Sequence, residues 1–182
     1  MGPLQGEGER AAEGTVSPGW GSSGNRGLAY TDPFGLCPKC IITLLTMTPD
    51  PVSNTRISQL DASMQPLANL AVNVMYAKDQ PVRIVQGLRT FEEQDALYAI
   101  GRTTELDRSP VTNARAGQSA HNFGKAIDVY PLEGGKVVIP PASDSRWRVI
   151  GESGKSVGLN WGGDFKRLKD YPHLELQNWR EN

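Results

Sequence analysis

The sequence predicts an α+β domain, a small and mainly antiparallel sheet with flanking helices, from three observations. Apolar residues recur at spacings of three and four between Ile57 and Val74, which marks an amphipathic helix. Short β-branched or face-alternating runs stand at Val82–Val85, Ala126–Tyr130 and His173–Leu176. Turn-forming Gly and Pro separate these runs, and no internal repeat links them.

In chain order, Ser53-Asn54-Thr55 offers an N-cap for a first helix. Its face of Ile57, Leu60, Met64, Leu67, Leu70, Ala71 and Val74 ends near Lys78, before Pro81. Val82-Arg83-Ile84-Val85 follows as a strand, and Gly87 to Arg89 leads into a second helix of about a dozen residues from Thr90. Its periodic positions are Phe91, Gln94, Leu97 and Tyr98, with Gly101 as C-cap. Ala126–Tyr130 and Lys136–Ile139 read as strands, Ser143–Val157 as a helix, and His173–Leu176 as a final strand.

The folded domain is expected over residues 49–182, and residues 1–48 read as a flexible tail or linker. Residues 1–36 hold 9 of the 20 glycines and no apolar periodicity, a composition that buries too little surface to order itself. Cys37-Pro-Lys-Cys40 leaves a redox pair, half a zinc ribbon and an incidental thiol pair all open.

Composition excludes several classes of function. Against 19 Lys and Arg stand 20 Asp and Glu, and neither the first 50 residues nor the remainder carries a strong net charge, so nucleic acid and acidic membranes are poor partners. The longest apolar run, Ile41–Leu45, is far short of the roughly 18 residues a membrane span needs. The N-terminal segment has neither the basic start nor the apolar run of a secretory signal, so export is expected to depend on another route.

Chemistry concentrates around the two histidines. His121 and Asp128 are seven residues apart, roughly 23 Å in a fully extended chain, so they can share an ion only if the chain reverses between them. Asn122 to Gly124 permits that reversal. On the following strand Ile127 and Val129 take one face and Asp128 the other; on the last, Leu174 and Leu176 take the core face and leave His173 and Glu175 on the site face. His121, Asp128 and His173 then make a three-ligand zinc site with an open fourth position. Asp170, presented by Pro172 three residues before His173, is the candidate acid/base. Arg89 is the candidate cation for developing oxyanion charge, with pairing to Glu92 or Glu93 as its structural alternative.

Ser119-x-His121-x-x-Gly124-x-Ala126-x-Asp128, followed by Asp170-x-x-His173-x-Glu175, resembles the LAS-type zinc peptidases. These include VanY-like D-Ala-D-Ala carboxypeptidases and endolysin L-alanyl-D-glutamate endopeptidases. The resemblance also takes in Gly87-Leu88-Arg89-Thr90 through Gln94, Leu97-Tyr98, Gly101-Arg102, Val111-Thr112, Ala116-Gly117 and Trp161-Gly162-Gly163-Asp164. It implies the D-Ala-D-Ala carboxypeptidase/Hedgehog-like fold, zinc on His121, Asp128 and His173, Asp170 as acid/base, and substrate or transition-state contacts at Arg89, Gln94 and Ser119. The implied substrate is a peptidoglycan stem peptide. The Trp-Gly-Gly stretch and an aspartate as base resemble the endolysin branch, which points to the L-Ala-D-Glu bond. Leu174 departs from the family, which usually carries an aromatic there.

Plainer roles stand beside these. Gln94 could be a helix-surface residue, Ser119 could bond only to local backbone, Asp164 could shape a turn, and Trp147 and Trp161 could be core or cleft wall. Asp32-Pro-Phe-Gly-Leu36 resembles the segment closing the core of Rhs-type polymorphic toxins, although Asp-Pro and Phe-Gly are also ordinary turn formers. That resemblance implies an antibacterial toxin acting on the cell wall, delivered by lysis or a secretion system and accompanied by an immunity protein. Three functions remain: an endopeptidase, a carboxypeptidase trimming terminal D-Ala, and a non-catalytic zinc-containing wall-binding or signalling domain. Asp170 and Arg89 together argue against the last, because a binder needs neither.

Overall fold

The computed structural model describes residues 47–181. The tail, the Cys37/Cys40 pair and the Asp32–Leu36 segment lie outside the described residues. Two short helices, α1 (Pro51–Ile57) and α2 (Gln65–Ala77), precede strand β1 (Val82–Gln86) and helix α3 (Phe91–Ala99). A 3-10 turn at Ala120–Phe123 then enters β2 (Ala126–Glu133), which is followed by β3 (Lys136–Val137), α4 (Ser145–Ser156), β4 (Leu159–Trp161), a 3-10 turn at Gly162–Asp164, and β5 (His173–Leu176). The sheet runs β1-β2-β5-β4, with β3 paired to β2, and every pairing is antiparallel. Among the described residues no helix is long and apolar enough to cross a membrane.

One face of the sheet is the core. Val82 and Ile84 of β1, Ile127 and Val129 of β2, Leu159 of β4 and Leu174 and Leu176 of β5 are buried there with Ala68, Ala71, Val72 and Met75 of α2 and Trp147 and Ile150 of α4. Leu174, the departure from the family pattern, lies over Gly154 of α4, where an added Cβ would sit 2.3 Å from Leu174 Cδ2. The helix can therefore approach β5 only where it lacks a side chain.

The first predicted helix is corrected: the chain between Ile57 and Gln65 leaves the helical path, although Leu60 and Met64 keep their buried positions. Competing local bonds cause the break. Asp61 Oδ1 accepts from Ser63 N at 3.0 Å, Asp61 N donates to Gly124 O at 3.1 Å, and Pro66 starts α2. The N-cap is Asp50, whose carboxylate accepts from Ser53 N at 2.9 Å, instead of a residue within Ser53–Thr55. Arg83 of β1 closes on the same carboxylate at 2.8 Å and ties α1 to the sheet edge.

The other elements differ in smaller ways. Helix α3 spans nine residues and opens with a capping box between Thr90 and Glu93. Its buried residue is Gln94, while Phe91 is exposed, so it is no core helix. The strand predicted at 136–139 shortens to two exposed residues, and β4, which the sequence did not suggest, completes the sheet.

Candidate metal centre

His121 sits in the 3-10 turn that Ser119 caps, its Oγ accepting from His121 N at 3.4 Å. Gly124 ends the turn with φ +65, and a Cβ there would lie 2.7 Å from Asp61 N. The left-handed backbone and the close approach of the α1–α2 connection both require glycine, and this turn reverses the chain between His121 and Asp128 as the spacing demanded. Asp128 and His173 are direct partners on the β2–β5 ladder, so their side chains leave the same face side by side.

The three side chains converge. His121 Nε2 lies 3.3 Å from Asp128 Oδ1, His173 Nδ1 lies 3.2 Å from the same oxygen, and the two ring nitrogens are 3.2 Å apart. Their candidate ligand atoms all fall within 4.8 Å of one another. The donor set of two imidazoles and one carboxylate is what zinc takes in sites that keep a position open. The outer atoms complete the fit: His121 Nδ1 faces the Gly87 carbonyl at 2.8 Å, which can only accept, so Nδ1 carries the hydrogen and Nε2 turns its lone pair inward.

The electrostatics point the same way. Burial alone would raise the Asp128 carboxyl, but the imidazoles of His121 and His173 outweigh it and hold the group far below the usual carboxylate range. Burial opposes charge on His173, yet the carboxylates of Asp128 and Glu175 push its pKa up to about 10. Asp128 and Glu175 thus give the centre a negative potential that attracts a cation, and a metal would take the inward nitrogens in place of protons.

Asp170 opens on the same cleft, a cavity of about 540 Å³ whose walls include Ser119, Phe165, Asp170, His173, Glu175 and Trp179. Burial, and then the charge of Asp128, raise its carboxyl above the usual range. Its backbone is held by Gly162: Asp170 N donates to Gly162 O at 3.0 Å, and a Cβ on Gly162 would stand 2.4 Å from Asp170 O and 2.9 Å from His173 Cβ. Trp161 secures the intervening residues, its Nε1 donating to Tyr171 O at 2.8 Å. Its ring lies against Gly151 and Gly163, where added Cβ atoms would fall 2.2 Å away.

Arg89 lies beside the centre, with Nη2 3.7 Å from Asp128 Oδ2 and Nη1 donating to Gln94 Oε1 at 2.9 Å. Gln94 is fully buried beneath it and donates to Ala114 O at 2.8 Å. Asp164 pairs with Lys155 on the surface, and Trp147 is buried with its Nε1 on Pro141 O.

Two residues escaped the sequence reading. Asn122 donates to Arg89 O and Thr90 O at 3.1 and 3.2 Å and accepts from Gly117 N at 3.0 Å, which locks the start of α3 to the Ser119 loop. Glu175 reaches His173 Nε2 at 3.2 Å; period two had already placed both on the site face, which was the available signal.

Residues 112–176 match the M15 peptidase family described as D-alanyl-D-alanine carboxypeptidase. The chain is 40% identical over 123 residues to the peptidoglycan L-alanyl-D-glutamate endopeptidase CwlK of Bacillus subtilis, a match covering 64% of this chain and 68% of that protein. Among solved structures, the Serratia marcescens L-Ala D-Glu endopeptidase ChiX superposes with a TM-score of 0.56 at 21% identity, over 75% of this chain and 93% of that one. The vancomycin resistance D,D-pentapeptidase VanY, crystallised with Zn(II), gives 0.52 at 14% identity, over 66% of this chain and 74% of its own. These two structures share the small antiparallel sheet with flanking helices.

Proposed function

The chain belongs to the M15 peptidase family, and from that premise we propose that it is a zinc-dependent peptidoglycan endopeptidase that cleaves stem peptides between L-Ala and D-Glu. The observation that carries the choice of bond is the 40% identity to the Bacillus subtilis enzyme over 123 residues. His121 through Nε2, Asp128, and His173 through Nδ1 would hold the metal. Zinc bound there supplies a Lewis acid that polarises a carbonyl and lowers the pKa of water toward about 7.

The chain's own groups do the rest. Asp170, its carboxyl raised by burial, accepts the proton of the attacking water and returns it to the amine of D-Glu as the C–N bond breaks. Arg89, held by Gln94 from beneath, keeps a permanent positive charge beside the carbonyl oxygen as that oxygen becomes negative. Gln94 acts through Arg89, and Ser119 lines the cleft at the mouth of the His121 turn. We assign the peptidase domain to residues 49–182, with Asp50 buried at its start.

Mass spectrometry of purified peptidoglycan, incubated with the protein with and without a chelator, tests the reaction. Chelator-sensitive fragments with a new D-Glu amino terminus are expected, and none from Asp170→Ala. Loss of terminal D-Ala alone would replace the endopeptidase by a carboxypeptidase, the second reading, which the family match over residues 112–176 favours.

Action at the cell wall follows from this substrate. The Asp32–Leu36 resemblance supports a finer role, an antibacterial toxin at the end of an Rhs-type module, with an immunity protein that blocks the cleft as its partner. Expression directed to the periplasm should then lyse cells while cytoplasmic expression does not, and Asp170→Ala should abolish lysis.

A further inference from the structure

The two histidines face the centre through different ring nitrogens, and each has a different group behind it. His121 points Nε2 inward and is backed at Nδ1 by the neutral Gly87 carbonyl at 2.8 Å. His173 points Nδ1 inward, toward Asp128 Oδ1 and His121 Nε2, and is backed at Nε2 by a carboxylate oxygen of Glu175 at 3.2 Å. An ionised carboxylate can only accept, so His173 must carry its hydrogen on Nε2 and leave the Nδ1 lone pair for the metal.

We propose that Glu175 is a positioning residue for the metal centre, fixing the tautomer and ring orientation of His173 and raising its strength as a ligand. The inference rests on His121, Asp128 and His173 being the zinc site. Glu175 is suited to the task because its backbone is held on both sides. It sits on β5, the strand between β2 and β4, opposite Ala126 on one ladder and Asn160 on the other. Two residues after His173 it shares that residue's face, and its side chain is only 16% exposed. Phe165 closes over the same imidazole with ring centroids 5.8 Å apart, so the ring is confined by packing and by the carboxylate together. A carboxylate behind a ligating imidazole polarises it more than a backbone carbonyl does, which makes His173 the more electron-rich of the two histidine ligands.

The chain has only two histidines, so the imidazole N–H protons of the zinc-loaded protein can be assigned without ambiguity. The test uses the full chain, zinc ion as the probe, and the variants Glu175→Gln and Glu175→Ala. Zinc affinity is read by competition with a chelating dye, and ring protons by 15N–1H spectra of histidine-labelled protein. Wild type should show two protected ring protons, one on His121 Nδ1 and one on His173 Nε2. Glu175→Ala should raise the zinc Kd roughly 10- to 100-fold and lose the His173 proton to exchange while the His121 proton stays. Glu175→Gln, which keeps an acceptor and the side-chain volume but no charge, should retain the proton and still weaken zinc several-fold; it carries the test if Glu175→Ala fails to fold. Zinc affinity unchanged in the folded variants would overturn the proposal, including the case in which only KM for a stem peptide rises, since Glu175 would then be a substrate contact. Wild type that binds no zinc would overturn the metal site itself, a different result from wild-type binding that Glu175 does not influence.

Discussion

Gly162→Ala should cripple the enzyme without removing any group that takes part in the chemistry. The added Cβ would stand 2.4 Å from Asp170 O, 2.9 Å from His173 Cβ and 3.0 Å from Asp170 Cβ. Ordinary carbon contacts begin near 3.4 Å, so the segment from Asp170 to His173 must withdraw by about 1 Å. That segment carries both the acid/base and one ligand, and a displacement of about 1 Å in a catalytic group costs on the order of 100-fold in rate. Overpacking adds about 1–3 kcal/mol of lost stability, because Trp161 fixes Tyr171 from the other side and resists the shift. The assay is kcat/KM on a soluble stem peptide, with zinc content and thermal unfolding measured on the same samples. Gly134→Ala is the control: Gly134 also turns a corner, with φ +56, but an added Cβ there meets nothing within 4 Å. It should lose about 1 kcal/mol of stability and no activity. Gly162→Ala within about threefold of wild type in kcat/KM, with its zinc intact, would refute the argument that this glycine sets the position of Asp170.

Asp170→Asn should keep zinc and lose roughly 10²- to 10⁴-fold in kcat. Because Asp170 must be ionised to accept a proton and burial opposes its ionisation, wild-type kcat/KM should fall on the acid side while zinc is still bound. His121→Ala and His173→Ala should each lose zinc as measured by metal analysis, and a variant that keeps a full equivalent would remove its residue from the ligand set. Asp50→Asn leaves Arg83 without its buried carboxylate and should cost about 2 kcal/mol, or about 6 °C in Tm, at neutral pH. Burial raises the Asp50 carboxyl, but bonds from Arg83 and Ser53 outweigh it and lower its pKa below 3.8 in the fold, so this stabilisation is complete above that value and lost as pH falls through the folded pKa. Equal Tm differences between wild type and Asp50→Asn at pH 7 and pH 3 would refute that assignment.

Much of the centre was legible because two periods of two, one in Ala126–Tyr130 and one in His173–Leu176, determine which side chains share the face opposite the core. Gly124 was equally readable, since the chain had to reverse between His121 and Asp128. The break in the first helix was not, because Leu60 and Met64 remain buried after the chain leaves the helical path, and apolar spacing alone does not register that departure. Gln94 was readable as a periodic position of its helix, but not its burial, which depends on the distant chain at Ala114 that its amide meets. The three residues of β4 carry too little pattern to announce a strand beside the Trp161–Asp164 turn.

Asp128 and His173 stand on a single rung of the β2–β5 ladder, although 45 residues separate them in the chain. The chain between them returns to the centre at three places, that rung, the segment at Asp170 and the Phe165 ring over His173. Insertions or deletions in the β2–β3 turn or after α4 should therefore drift freely in length among descendants of this chain, so long as Gly162 and Trp161 still receive the returning loop. A slip of one residue between β2 and β5 is another matter: it would turn His173 into the apolar layer and bring Leu174 to the cleft, abolishing core and catalysis in one stroke. Natural variation in this domain should thus be generous in loop length and intolerant of any change in strand register.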